Sequence, residues 1–319
     1  MLLAHPLRTL TVDPQLHPRG QPHLSAASGL VCANGRAYVV ADDEHHLAVF
    51  RDRDTPGELH RLFSTDLPQS TDARKRLKSD LETLVLLPAV GMSPTAALLA
   101  LGSGSHPNRN TGVVIPLDGD GEPSPNVRAF DLTPLYEPLR AQLGEINIEG
   151  AMVIGDELVL LNRGVAGLSD NAAARFCLSD LVDVIEGKRP ALQPASIRRY
   201  QLGAIAGVPL AFTDGAALPG GSWVFSAVAE DSADSYADGP CQGSAAGLVA
   251  AGGDIHSVHR LVPSAKVEGI AVQVGGDGMA ICMVTDADDP AQSSSMLLAR
   301  LPLSACPPDT RLSASSRRP

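Results

Sequence analysis

Four acidic residues, Glu82, Glu149, Asp214 and Glu268, stand at the head of apolar runs: 80-DLETLVLLP-88, 147-NIEGAMVIG-155, 212-FTDGAALPG-220 and 266-KVEGIAVQV-274. A fainter fifth copy, 26-ASGLVCANG-34, puts Ser28 in the same place. A carboxylate inside a buried strand is costly unless something pairs with it. If the five stretches are equivalent strands around one axis, their leading oxygens converge there. Carboxylates gathered in that way must either take up protons or hold a cation. An oxygen-only donor set suits calcium, which takes about six to eight oxygens, better than zinc, which favours His and Cys. The expectation is a divalent cation, calcium, held by Ser28, Glu82, Glu149, Asp214 and Glu268. The competing reading is a dry network in which Lys78 and Lys266 neutralise the acids.

Positioning these residues needs a repeating scaffold. In register, the five positions are separated by 54, 67, 65 and 54 residues, the scale of a propeller blade with generous loops. Each copy continues with a turn, a second apolar strand such as 157-ELVLLN-162, a polar loop, a third strand such as 112-GVVIPL-117, and an amphipathic fourth such as 197-IRRYQL-202. Alternation of Arg or His with Leu or Phe in that fourth strand is the period-two pattern of a half-exposed edge. The fifth copy lacks a fourth strand after 296-MLLARL-301, and the start of the chain has a spare one, 7-LRTLTVD-13. The fold expected is all-β, a five-bladed β-propeller over residues 1–301 closed by an N-terminal strand that completes the last blade. Residues 302–319, rich in Pro and Ser, read as a disordered tail. A sixth blade hidden in the loops, or a β-sandwich with coincidental Glu-Gly pairs, are the alternatives. Helical spacing at 134–145 and 179–188 is explained by packing on the blades.

The loops after the second strands emerge on the same face as the acids. They are polar: 42-DDEHH-46, 102-GSGSHPNRN-110, 162-NRGVAGLSDNAA-173, 229-AEDSADSYADGPCQGS-244 and 285-TDADDPAQSSS-295. Long loops on one face of a rigid scaffold are where binding and catalysis concentrate. Arg109 and Arg163, with Asn110 and Asn162 beside them, form candidate forks for a phosphate. Asp42, Glu230 and Asp286 are candidate bases, and His106 and His46 candidate proton-transfer groups. Tyr236 is the one aromatic expected on this face.

A net charge of −11, with only the short basic run 74-RKRLK-78, argues against nucleic acid and anionic membranes and for a cation or a small anionic ligand as partner. The N-terminus shows neither a signal-peptide core nor a spanning segment, which reads as a cytoplasmic protein. Five cysteines at irregular spacing suggest neither a disulfide framework nor a zinc site. Cys32 and Cys282, in apolar runs, read as core thiols, and Cys241, in a polar loop, as the one to test for reactivity.

The Glu-Gly starts in KVEGIAV and NIEGAMV resemble the propeller families of phytase-like esterases and SdiA-regulated-like proteins. The order Ser, Glu, Glu, small polar, Glu around the axis resembles the soluble calcium-activated nucleotidases, five-bladed propellers with calcium in the channel. That resemblance spans residues 7–301 but not the loops, and implies the same five residues as metal shell. Asp214 departs from it, because it replaces a hydroxyl residue of the nucleotidase pattern. Three readings follow: a metal-dependent hydrolase of a phosphate ester or anhydride, a non-catalytic binding propeller with a structural ion, and a metal-dependent lactonase or esterase. No G-x-S-x-G elbow supports a serine nucleophile.

Overall fold

Short apolar runs rich in Val, Leu and Ala, cut by Gly, Pro and Asn, favour strands joined by tight turns. The computed structural model describes residues 1–89, 95–165, 170–231, 239–275, 278–302 and 305–306. Strand β1 (Leu2–Thr9) opens the chain. A four-stranded antiparallel sheet follows: β2 (Ala27–Ala33), β3 (Arg36–Ala41), β4 (His46–Phe50) and β5 (Glu58–Arg61). Its first hairpin turns through Asn34 and Gly35, both at positive φ (51° and 71°), as a two-residue hairpin that matches strand twist requires.

Helix α1 (Thr71–Leu77) leads into a second sheet, β6 (Leu81–Leu87), β7 (Ala97–Gly102), β8 (Thr111–Pro116) and β9 (Arg128–Asp131). Helix α2 (Thr133–Leu143) leads into a third, β10 (Ile148–Ile154), β11 (Glu157–Asn162), β12 (Asn171–Cys177) and, after α3 (Leu178–Ile185), β13 (Ser196–Tyr200). The remaining strands are β14 (Ala204–Ile205), β15 (Val208–Ala217), β16 (Trp223–Glu230), β17 (Cys241–Val249), β18 (Ile255–Val262), β19 (Lys266–Val274), β20 (Gly278–Asp286) and β21 (Ser295–Pro302).

These last strands and β1 form one nine-stranded sheet rather than two separate sets of four. The join is β1. It pairs antiparallel with β21 through Ala4 and Ala299, and parallel with β18 through Leu2 and Leu261. The closing strand therefore lies about five residues upstream of the expected 7–13, because the buried side chains of Leu2 and Ala4 fill the seam while Thr11 and Val12 bridge elsewhere, to His23 and Gly57.

The first strand of each unit is innermost. β2 packs on β6, β6 on β10, β10 on β15, β15 on β19, and β19 back on β2, a closed circuit. Hydrophobic clusters fill the gaps between neighbouring sheets. One holds Tyr200, Phe212, Trp223 and Phe225, with the Tyr200 and Trp223 rings edge to face at 5.8 Å. The architecture is all-β and propeller-like. No helix among the described residues is long and apolar enough to cross a membrane. Of the expected tail 302–319, residues 303–304 and 307–319 lie outside the described residues, as does Tyr236.

Candidate metal centre

Every innermost strand breaks register near its start. The breaks fall between Ala27 and Gly29, Leu81 and Thr83, Ile148 and Gly150, Phe212 and Asp214, and Val267 and Gly269. In each, one residue is left out of the ladder, which is the action of a β-bulge: it re-aims a side chain that a regular strand would bury in the sheet. The residues so released are Ser28, Glu82, Glu149, Thr213 and Glu268.

The expectation for the fourth unit is thus corrected by one residue. Thr213 carries the bulge, and Asp214 occupies the position held elsewhere by Gly29, Thr83, Gly150 and Gly269. Asp214 is buried, with Oδ1 accepting from Gly215 N at 2.7 Å and Oδ2 from Ile270 N of the neighbouring innermost strand at 2.9 Å. Burial pushes its carboxyl well above the usual range, against the pull of backbone donors at Ile270, Gly215 and Ala151. Asp214 fastens β15 to both neighbours. Gly150 makes room for it, since a Cβ there would sit 2.7 Å from Asp214 Cα. Gly150→Ala is therefore expected to destabilise the protein by about 2 kcal/mol, read by chemical denaturation, because the clash is with backbone and cannot be relieved by a rotamer change.

The two hydroxyls share one arrangement. Ser28 Oγ donates to Leu81 O at 2.6 Å and Thr213 Oγ1 to Val267 O at 2.8 Å, in each case the carbonyl just before the next bulged glutamate. With the protons so directed, the oxygens keep lone pairs for another partner. Among the glutamates, Glu149 Oε1 accepts from Asn147 Nδ2 at 2.5 Å, while Glu268 Oε2 is buried with no hydrogen-bond partner. Burial raises all three, and the Glu149 charge adds to the rise of both Glu82 and Glu268. Glu268 reaches about 8 even with Lys266 and Arg163 pulling it down. A buried carboxylate oxygen without a donor, beside other acids, fits an oxygen-seeking cation.

A second polar tier lies one ladder pair outside the bulges. Ala26 faces Asp42, Asp80 faces Ser103, Asn147 faces Arg163, and Lys266 faces Asp286. Asp80, which the sequence reading passed over, is central. It holds Lys78 at 2.6 Å, Arg109 at 2.9 Å and Ser103 Oγ at 2.5 Å, and single oxygens of Asp42, Asp80 and Glu82 lie within 4.8 Å of one another. Its signal in the sequence was a second acid two residues before Glu82, at the head of the same apolar run. Burial works against the Asp80 charge, but Lys78 and Arg109 outweigh it and hold the carboxyl below its usual value.

Asp42 also pairs with Lys78, and burial pushes it up to about 6 despite that partner. Asp286 is pushed up to about 8 by burial and by the Asp42 charge. Glu230 accepts from Arg163 Nη2 at 2.5 Å and from Gly239 N at 2.8 Å.

The two arginines expected to hold an anion are turned onto acids, Arg109 buried and Arg163 half-buried. Arg163 bridges Glu149 and Glu230, and Arg109 lies between Asp80 and Ser105. The Asn162 amide is engaged by the backbone of Asn147, Arg163 and Asp170, and Asn110 by Arg140 and Thr133. His106 is half-buried beside Ser105 Oγ, at 3.5 Å. His46 is buried, which pushes it down to about 4 and keeps it neutral at ordinary pH. Lys266 meets Asp288 at 2.5 Å, Glu268 at 3.6 Å and Glu230 at 3.7 Å. Lys78 and Lys266 thus do offset part of the acid charge. Even so, among the described residues eight carboxyls (Asp42, Asp80, Glu82, Glu149, Glu230, Glu268, Asp286, Asp288) face four cations (Lys78, Arg109, Arg163, Lys266) across this end of the ring. Beside it opens a cavity of about 220 Å³. Its walls carry Asp42, Asp286 and Lys78 toward the ring and Arg19, Arg74 and Lys75 away from it.

Fold and site together define a propeller-like all-β protein with an acidic centre at the start of its innermost strands. The chain belongs to the family described as a family of unknown function (DUF6929), which matches residues 23–301. No curated protein matches it. Among solved structures it is similar to an exo-β-1,3-galactanase from Phanerochaete chrysosporium, at 11% identity, with 95% of this chain and 65% of that chain covered and a TM-score of 0.51. It is also similar to the catalytic domain of a glycoside hydrolase family 62 α-L-arabinofuranosidase from Coprinopsis cinerea, at 9% identity, covering 94% and 97%, TM-score 0.49. At such identities the likeness speaks to the fold alone.

Proposed function

We propose that this chain is a five-bladed propeller that binds one divalent cation, calcium, through Ser28, Glu82, Glu149, Thr213 and Glu268, and hydrolyses a phosphate ester or anhydride in the cavity beside it. The observation that carries the reading is the buried, donorless Oε2 of Glu268 among like-charged neighbours. Thr213 restores the hydroxyl that the calcium-activated nucleotidase pattern has at the fourth position. When bound, the cation supplies charge to polarise a phosphoryl oxygen and to orient a water. The chain's own part is to hold the anion: Lys78, Lys75 and Arg74 line the cavity, Lys78 paired with Asp42 and Asp80 and Arg74 with Glu44. Asp286, which also lines the cavity, is the candidate to accept a proton.

The test has two readouts. Elemental analysis after dialysis is expected to find one calcium per chain, and a panel of phosphate esters and anhydrides to show calcium-stimulated phosphate release. A chain that retains no ion and gains no thermal stability from added calcium would rule out the centre. Calcium binding without release from any substrate would leave a binding propeller with a structural ion.

A further inference from the structure

Cys32 and Cys282 stand on facing sheets at the seam where the two ends of the chain meet. Cys32 lies in β2 two residues after Leu30, and Cys282 in β20 two residues before Val284. The period of two therefore puts each cysteine on the same face as its apolar neighbour. Leu30 and Val284 belong to one hydrophobic cluster with Ala271 and Met296, and Cys282 packs against it. The approach at this seam is close, since a Cβ on Gly269 would lie 3.0 Å from Leu30 Cβ and 2.7 Å from Ser28 O. The two thiols approach each other across it, near enough for each to shift the other's ionisation. Cys32, expected as a core thiol, is exposed, and Cys282 is half-buried. Cys177 and Cys306 instead meet Ser179 and the carbonyl of Pro302.

We infer that Cys32 and Cys282 are a dithiol–disulfide pair that closes on reaction with a small-molecule disulfide. The approach of the two thiols lowers Cys282 and raises Cys32, which favours the thiolate at Cys282. The Cys282 thiolate attacks one sulfur of R–S–S–R. That bond breaks, a mixed disulfide forms on Cys282, and RS⁻ leaves to take up the proton that Cys282 released. Cys32 then loses its proton to solvent and attacks the Cys282 sulfur, expelling the second RS⁻, which is protonated. The two cysteines are oxidised and the small disulfide is reduced to two thiols. The product ties β2 to β20 covalently, at a seam otherwise held by the cluster around Leu30 and Val284 and by the bridge from Ala26 to Asp286.

The test treats the full chain with oxidised glutathione, alkylates the remaining thiols and maps the peptides. The expected result is loss of two of the five free thiols, a single Cys32–Cys282 cross-link with loss of two hydrogens, and full reversal by a dithiol reductant. In Cys282→Ser, Cys32 should stop at one bound glutathione at most, with folding checked by the fluorescence of Trp223, the one tryptophan. Cys32 and Cys282 both remaining free, both carrying glutathione, or pairing with another cysteine would each overturn the inference. Because the map is made on the natural sequence, a variant that fails to fold does not rescue it.

Discussion

Replacing Glu268 by Gln is expected to stabilise the metal-free protein at pH 8 and to remove most of its response to calcium. The folded Glu268 carboxyl is raised from 4.5 to about 8, chiefly by burial. Between those values the unfolded chain has released the proton and the folded chain still holds it. The unfolded state thus binds fewer protons, and stability falls as pH rises from about 4.5, levelling off above about 8. At roughly 1.4 kcal/mol per pH unit, this single group depresses stability by a few kcal/mol across the window. At the proposed centre calcium should reverse the sign, because it would occupy the place of the proton. At a hundredfold excess over its dissociation constant it adds about 2.7 kcal/mol. Glu268→Gln should flatten the slope between pH 5 and pH 8 and weaken calcium binding by about a hundredfold, since affinity follows the number of charged ligands. Melting curves at both pH values, with calcium and with chelator, check this. The same slope and the same calcium shift in the variant would show that Glu268 neither holds the proton nor meets the ion.

The strand starts were legible because burial and charge conflict there: an acid followed by Gly at the head of an apolar run has few structural explanations. What could not be read was which residue bulges. In FTDG the Asp-Gly pair imitates the Glu-Gly of its relatives, yet the extra residue is Thr213. A one-residue shift of register leaves composition unchanged while it exchanges every side chain between faces. The same blindness hid Asp80, whose backbone is left-handed at φ 56° and whose three partners come from Lys78, Ser103 and Arg109. The arginines looked like anion forks because polar loops usually expose them. They are instead drawn inward by acids, Arg109 by Asp80 about thirty residues back in its own unit, and Arg163 by Glu149 of its own unit and Glu230 of the next, contacts set by the fold and not by adjacent sequence. Cys32 sits in an apolar run but near the strand's end, where the innermost strands leave the core and open to solvent.

Arg163→Met is expected to destabilise the metal-free protein by about 3–5 kcal/mol, the cost of leaving buried charge uncompensated. Arg163 bonds Glu149 with one nitrogen and Glu230 with the other, and those carboxylates in turn hold its own proton more tightly. Glu230 has Lys266 only at 3.7 Å and the amide of Gly239 to fall back on, while Glu149 keeps Asn147. The loss should be partly recovered by calcium, because removing one positive charge deepens the negative field at the ring and raises affinity for the ion. It should also shrink in the double variant Arg163→Met with Glu230→Gln, where the stranded acid is gone. Urea unfolding of the four proteins of this cycle, followed by Trp223 fluorescence, gives the coupling energy directly. A loss below about 1 kcal/mol, the size of an exposed ion pair, would mean that water reaches Glu149 and Glu230 freely. The centre would then be a solvated acidic rim with no need of a cation.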